Sequence, residues 1–360
     1  MSDDDTVRML RARGQALAGG VRDASAAAVV RRVLAVQAQD ATAADLGIRV
    51  RAGNLTGRAV RAAYEDERSI VRGWFMRGTL HTVPAEDVHA LLRLLSPRTL
   101  AATGRRYQQL GLDDGLRERA DRLIRRALTT HGPLSRAELT EHLTALGVPP
   151  DGQAPFHLIR HAALTGVLCH GPRRAGEATY VLLDDWLPAP AAPHPDEATV
   201  LTDLARRYLA AYAPATPQDF ATWSGLPVTS ARAAWKSLAQ SGALADHGSS
   251  TVLAGRPHDP GLPSGPADVR LLPAYDGYFL AHRTRDVSVP TPHQHHVRPG
   301  GGVIRPTVIA DGLAVATWSR NPLTIRPFTP LPAHLHPALD AETAAVTHFL
   351  NTAEASGPGS

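Results

Sequence analysis

Lysine is nearly absent from this chain, with Lys236 the only one among 38 basic residues. A phosphate-cradling G-x-x-x-x-G-K-[ST] loop needs a lysine behind a glycine-rich run, and no such run precedes Lys236, which excludes P-loop NTPase chemistry. A lysine imine would have to rest on the same residue, whose neighbours AAWKSL read as an ordinary helix. Cysteine is equally scarce. The single Cys169 excludes an internal disulfide framework, cysteine-based zinc fingers and the paired-cysteine zinc site of nucleobase deaminases, and it suits a reducing compartment. No apolar run reaches eighteen residues, and MSDDDTVRML is acidic where an export signal would be basic. The expectation is a cytoplasmic protein without a membrane span.

The composition is that of a soluble globular chain, 43% hydrophobic and 20% charged over 360 residues, with room for two or three domains. Its net charge of +4 is unevenly spread: residues 1–120 hold 19 arginines against 14 acids, and the remainder holds 19 basic against 20 acidic residues. A polyanion site is therefore expected to involve the first third. The competing reading is that arginine replaces lysine through genomic base composition and covers solvated helix faces.

An internal repeat organises the middle. RRALTTHGP at 125–133 matches RRYLAAYAP at 206–214, and each copy is followed at one offset by a capping signal, Ser135 with Glu138 and Thr216 with Asp219. TGVL at 165–168 then corresponds to SGAL at 241–244, a glycine closing a third helix before a strand-like segment. Three helices closed by a two-stranded wing make a winged helix-turn-helix. The segment 7–115 reads as a more divergent copy, with helices near 8–18, 25–38 and 56–67, the strand-like RSIVRGWFMRGTLHTV, and a helix through 85–108. From about 267 the runs VRLLPAYDGYFLAHR and VIRPTVIADGLAVATW predict β-rich structure, with Asp311-Gly312 as a type I′ hairpin turn, LTIRPF as a strand and a last helix at 340–351. The expected fold is α+β and mainly α, with tandem winged-helix modules over 1–115, 116–190 and 194–256, and a small β-rich unit over 265–351. Proline-rich 187–195 and loop 255–266 are expected as connectors, and 352–360 as a disordered tail.

SAAAVVRRVLAVQAQD at 25–40 predicts an alanine-rich helix with Gln37, Gln39 and Asp40 at its polar end, before the loop ATAADL. On a regular helix Gln37 and Gln39 sit about 200° apart, so both reach one pocket only at a helix end or an irregularity. The alternative is that the glutamines satisfy the helix C-terminus or the backbone of the next loop.

Q-x-Q here, followed by RGTLHTVP at 77–84, LLPAYDGYFLAHRTRD at 271–286 and RPTVIADGLAVATW at 305–318, resembles the AlkZ/YcaQ family of winged-helix DNA glycosylases, over nearly the whole chain and in order. The resemblance implies a monofunctional glycosylase that hydrolyses the N-glycosidic bond of N7-alkylated purines, crosslinked ones included, with Gln37 and Gln39 catalytic. It implies double-stranded DNA carrying alkylated purines as partner. Gln39 stands where the YcaQ branch has aspartate, so the chain is more similar to the AlkZ branch. No metal, other cofactor or membrane is expected, and a monomer is. An N7-alkylpurine is cationic and already a good leaving group, so neutral amides suffice to orient water and face the developing oxocarbenium ion.

Further candidates rank below the glutamines. Asp40 is a general base or a surface cap. Arg77, Thr79 and His81 alternate as one strand face would, Trp74 facing the other way, and form either a polar wall of the site or a wing that holds its domain together. His293, His295, His296 and Arg298 lack a convergent carboxylate or cysteine, which favours DNA contact over metal binding. The hairpin at Asp311 and Gly312 either probes DNA or only caps its unit. The rival reading for the whole chain is a noncatalytic winged-helix DNA-binding protein or transcription regulator, weakened by third helices such as FHLIRHAAL that are apolar over much of their surface.

Overall fold

The computed structural model describes residues 3–187, 195–255 and 265–354. The chain divides into two compact units, one formed by Met1–Val60 with Leu201–Ser356 and the other by Arg61–Val200. The expected connectors and tail fall largely on 188–194, 256–264 and 355–360, outside the described residues.

The first unit begins with α1 (Asp3–Gly14) and α2 (Ala26–Val33), an extended pair β1 (Val36–Gln37), and α3 (Ala41–Arg49); α4 (Gly57–Glu65) spans the boundary. The second unit contains β2 (Ile70–Trp74), β3 (Leu80–Pro84), the long α5 (Val88–Gln109), α6 (Asp114–His131), β4 (Leu134–Ser135), α7 (Arg136–Leu143), α8 (Ala154–Leu164), β5 (Leu168–His170), β6 (Thr179–Leu182) and the short α9 (Leu183–Trp186). The chain returns through α10 (Glu197–Tyr212), α11 (Pro217–Ser224), α12 (Val228–Gln240), β7 (Leu244–His247) and β8 (Ser250–Leu253). It finishes with β9 (Val269–Leu272), α13 (Gly277–Leu280), α14 (Gln294–Val297), β10 (Thr307–Ala310), β11 (Leu313–Arg320), β12 (Leu323–Pro327) and α15 (His336–Glu354). The fold is mainly α with small sheets.

Local chemistry explains the repeated order. Ser135 and Thr216 each accept from the backbone N–H three residues on, and Glu138 and Asp219 reach back to the capping residue's own N–H, so both capping boxes form and start α7 and α11. Gly166 and Gly242 leave the ends of α8 and α12 with φ +79° and +70°, turning the chain into β5 and β7. From α6 to β6 the order is helix, strand, helix, helix, strand, strand, with sheet order β4-β6-β5. From α10 to β8 the order recurs, an isolated antiparallel bridge between Ala215 and Thr251 standing where the first strand would be. The elements from α2 to β3 follow the same order along the chain.

Two expectations need correction. The run 68–83 is not one strand, because Arg77 (φ +55°) and Gly78 (φ +65°) turn the backbone and fold it into an antiparallel hairpin with Gly73 opposite His81. The run 269–283 holds one strand only, since Asp276 caps the helical turn of α13 by accepting from Tyr278 N–H. Strands β9 to β12 form one antiparallel sheet in the order β12-β11-β10-β9, and Glu342 of α15 accepts from Leu271 N–H at 3.2 Å.

The second unit's core gathers Trp74, Ile124, Leu139, Leu158 and Leu168. The first unit concentrates scarce aromatics: Tyr208 lies 5.3 Å from Phe220 and 5.1 Å from Trp223, and Phe220 lies 5.6 Å from Trp235. Each such ring pair contributes about 0.5–1.5 kcal/mol beyond its buried area. Among the described residues no helix is long and apolar enough to cross a membrane.

Candidate active site

The glutamines do not end a helix. Ser25 starts α2 by accepting from Ala28 N–H, but the helix stops at Val33 because Leu34 turns to φ +63°. Tyr212 Oη then donates to the Val33 carbonyl at 2.8 Å, satisfying an acceptor at the helix end. The chain is extended at Val36–Gln37 and bends at Gln39, with Val36 and Ala38 buried, Gln37 half-buried and Gln39 exposed. Burial alternates along this non-helical segment, so both glutamines come together on one side, which a regular helix would have prevented. The Gln37 amide donates to the Gln39 side-chain carbonyl.

ATAADL is not a loop. Asp40 accepts from Ala43 N–H at 3.0 Å and caps α3, which starts directly behind the glutamine segment. An N-cap carboxylate is worth about 0.5–2 kcal/mol to its helix, so Asp40 has a structural task here that the sequence left open.

Beside Gln37 lies a recess of about 270 Å³, part of it open to solvent, within the first unit. Val33, Ala35, Val36, Ala43 and Pro273 give it apolar walls; Arg51, Tyr212, Tyr275 and Asp276 supply its polar and aromatic groups. Arg51 and Asp276 are almost fully buried and form a two-pronged ion pair, Nη1 to Oδ2 at 2.9 Å and Nη2 to Oδ1 at 2.6 Å. Arg51 also donates to the Gly47 carbonyl at 2.8 Å and to Gln15 Oε1 at 3.1 Å. Burial disfavours its charge, yet the adjacent Asp276 carboxylate more than offsets this and raises its pKa. Since Gly47 and Arg51 belong to α3 and the turn after it, these bonds tie that helix to the loop after β9 and to the turn after α1.

Arg51, Tyr212, Tyr275 and Asp276 were missed as site residues by reasoning from the sequence. The one signal was the run LLPAYDGYF, whose tyrosine and aspartate both line the recess; nothing local marks Arg51, which lies 225 residues from Asp276.

Arg77, Thr79 and His81 belong to the second unit, and the tight turn breaks the common strand face expected for them. Arg77 is exposed, whereas His81 is 2% exposed, with Nδ1 3.0 Å from the Thr79 carbonyl. Burial, with the Arg77 charge adding to it, pushes the His81 pKa down to about 3, so its ring is neutral and donates from Nδ1. Thr79 Oγ1 donates back to the Met76 carbonyl at 3.2 Å. Arg160 of α8 braces the turn, donating to the Gly78 carbonyl at 3.0 Å and to Thr103 Oγ1 at 3.2 Å.

His293 closes a helical turn and His295 and His296 lie in α14, where a hairpin approach was expected. His293 and His296 stack on Phe328 at 4.9 and 5.3 Å, while His295 and Arg298 are exposed. Burial, then the neighbouring His295 and His293, lower the His296 pKa.

Asp311 and Gly312 do form the tight turn, with φ +47° and +80°. Its tip is not free. The Asp311 carbonyl accepts from Arg8 of α1, Asp311 Oδ1 accepts from Asp268 N–H, and the Gly312 carbonyl accepts from Tyr278 Oη at 2.8 Å. A Cβ at Gly312 would come within 2.8 Å of that hydroxyl and 3.1 Å of Ala12 Cβ. Packing against α1 makes this turn a cap of its own sheet.

The family model for AlkZ-like DNA glycosylases matches residues 30–349, from α2 through most of α15. The chain belongs to the AlkZ-like DNA glycosylase family. Membership makes it an enzyme that acts on DNA and hydrolyses N-glycosyl bonds. It is similar to the interstrand DNA cross-link repair glycosylase of Streptomyces sahachiroi, 28% identical over 329 residues that cover 84% of this chain and 85% of the relative. The solved structure of the Streptomyces sahachiroi DNA glycosylase AlkZ has the same fold, with a TM-score of 0.80, 24% identity and 96% of each chain covered.

Proposed function

We propose that this enzyme hydrolyses the N-glycosidic bond of N7-alkylated purines in duplex DNA, bulky and interstrand-crosslinked adducts among them, with Gln37 and Gln39 as its catalytic residues. The observation that carries the reading is the non-helical segment that sets the two amides side by side, with Gln37 lining the recess. Alkylation at N7 leaves the purine cationic, so the C1′–N9 bond can break with its electron pair leaving on the base, which becomes neutral. Positive charge then develops on the sugar, and the glutamine carbonyl oxygens both accept from the attacking water and present their negative dipole ends to that charge. Water oxygen bonds to C1′, its proton passes to solvent, and the products are the free alkylpurine and an abasic site. The only lysine, Lys236, lies exposed on α12, which favours a monofunctional enzyme with no imine to the sugar.

A base tethered to the opposite strand cannot turn freely into a closed pocket, so crosslink removal fits an open site better than a deep one. Three winged-helix modules would supply that surface, with arginines on DNA phosphates and His293, His295, His296 and Arg298 as further contacts; binding would then weaken steeply with salt. The name of the Streptomyces sahachiroi relative supports crosslinks as substrates and repair as the setting; self-resistance to a DNA-alkylating metabolite is the extension of that reading.

The test is a single-turnover incubation with a duplex containing labelled 7-methylguanine. Free base and an alkali-labile site are expected. No release from this or a bulkier N7-alkylated duplex, with salt-sensitive binding intact, would leave a noncatalytic DNA-binding protein.

A further inference from the structure

Tyr275 holds a backbone conformation that its residue type disfavours. It follows β9 through Pro273 and Ala274 with φ +59°, where glycine or asparagine would sit more readily. Both sides pin it there: its own N–H donates to the Ile304 carbonyl at 3.3 Å, and the next residue, Asp276, is held by Arg51 and by Tyr278 N–H. Strained residues of this kind gather where a side chain must be presented in one direction. The Tyr275 side chain is half-buried at the recess that Gln37 also lines, and among the described residues its hydroxyl makes no hydrogen bond and its ring no aromatic contact. Tyr212, the other tyrosine at the recess, is 1% exposed with its hydroxyl on the Val33 carbonyl, so its ring is not offered to a ligand.

An N7-alkylated purine differs from an ordinary purine by a positive charge, and the face of a phenol ring attracts a cation brought within about 6 Å. We propose that Tyr275 is the specificity-determining residue that distinguishes the cationic lesion from the unmodified base, laying its ring against the alkylated purine while the glutamines act at the sugar. This rests on the substrate class proposed above. The positive charge leaves the base as the glycosidic bond breaks, so the ring interaction is strongest in the bound substrate and fades toward the transition state. Tyr275 therefore contributes to lesion affinity, and whatever part of the interaction is lost before the transition state slows the saturating step.

The experiment measures binding to a duplex carrying a 2′-fluorinated 7-methylguanine nucleotide, which resists hydrolysis, against the same duplex with guanine. Wild type, Tyr275→Phe, Tyr275→Leu and Tyr275→Asn are compared, with saturating single-turnover release from the cleavable duplex alongside. Tyr275→Leu should narrow the preference for the lesion by about three- to thirty-fold, and Tyr275→Phe should keep it. Tyr275→Asn, which suits the left-handed backbone and lacks the ring, should narrow it equally, separating ring loss from misfolding. Saturating rates in the ringless variants should not fall, and should rise by at most the factor lost in lesion affinity. An undiminished preference in both ringless variants, or a fall in saturating rate with preference kept, overturns the role. No release by wild type contradicts the proposed function instead, and the binding ratios still report on Tyr275.

Discussion

Two stretches of alternating polar residues, V-Q-A-Q at 36–39 and R-G-T-L-H at 77–81, meet opposite fates. In the first, no residue from 36 to 39 takes a positive φ, and alternation buries Val36 and Ala38 and leaves Gln37 and Gln39 out together. In the second, left-handed Arg77 and Gly78 fold the chain back, leaving Arg77 exposed and His81 buried as a neutral ring. Side-chain period is a property of the backbone, and one positive φ is enough to cancel it. What surrounds each stretch differs as well. The glutamine segment lies between a tyrosine hydroxyl on Val33 and a helix, capped by Asp40, whose far end Arg51 ties to Asp276. The 77–81 turn is braced by one arginine, Arg160.

The largest expected effect breaks the tie on the first stretch. Arg51→Ala leaves Asp276 as a buried carboxylate without its partner and should cost about 3–5 kcal/mol of stability in denaturant unfolding. The double variant Arg51→Met, Asp276→Leu should recover part of that loss; no recovery would mean that packing rather than charge pairing carries the effect.

Acid should act on the second stretch. His81 and His170 in the second unit and His282 in the first are each held at about 3, burial being the largest cause in every case. A histidine titrates near 6.5 when unfolded, so below that pH the unfolded chain takes up a proton that the folded chain refuses. Stability is therefore full above about pH 6.5 and falls as the pH drops toward 3, by roughly 1.4 kcal/mol per unit for each histidine. His81→Leu should remove one histidine's share, about 2 kcal/mol between pH 7 and 5; an unchanged slope of stability against pH would show that His81 titrates normally.

The smallest effect sharpens the comparison at its pivot. A Cβ at Gly78 would lie 2.7 Å from Arg160 Nη2 and 2.7 Å from Thr99 Cγ2, on a backbone with φ +65°. Gly78→Ala should cost about 1–2 kcal/mol in thermal or chemical unfolding. A neutral outcome would mean that the turn relaxes and that the hairpin does not depend on it.

Much of the fold was legible because its signals are local. Both capping boxes, the glycines ending α8 and α12, and the Asp311-Gly312 turn each depend on residues within a few positions of one another. Gln37 and Gln39 were legible as a pair through resemblance, but their setting was not, because alanine-rich composition argued for a helix that Leu34 interrupts. Arg51 and Asp276, 225 residues apart, meet only through tertiary packing. The packing that covers Gly312 is likewise nonlocal, since Arg8 and Ala12 come from the opposite end of the chain.

The central claim is that two neutral amides on a non-helical segment perform the hydrolysis. Its most direct test is single-turnover release of 7-methylguanine by Gln37→Ala and Gln39→Ala with duplex affinity measured on the same preparations. Each variant should lose about a hundredfold or more in rate, the scale for removing one preorganised dipole from a transition state, while binding DNA as wild type does. Wild-type rates in both variants would contradict the account.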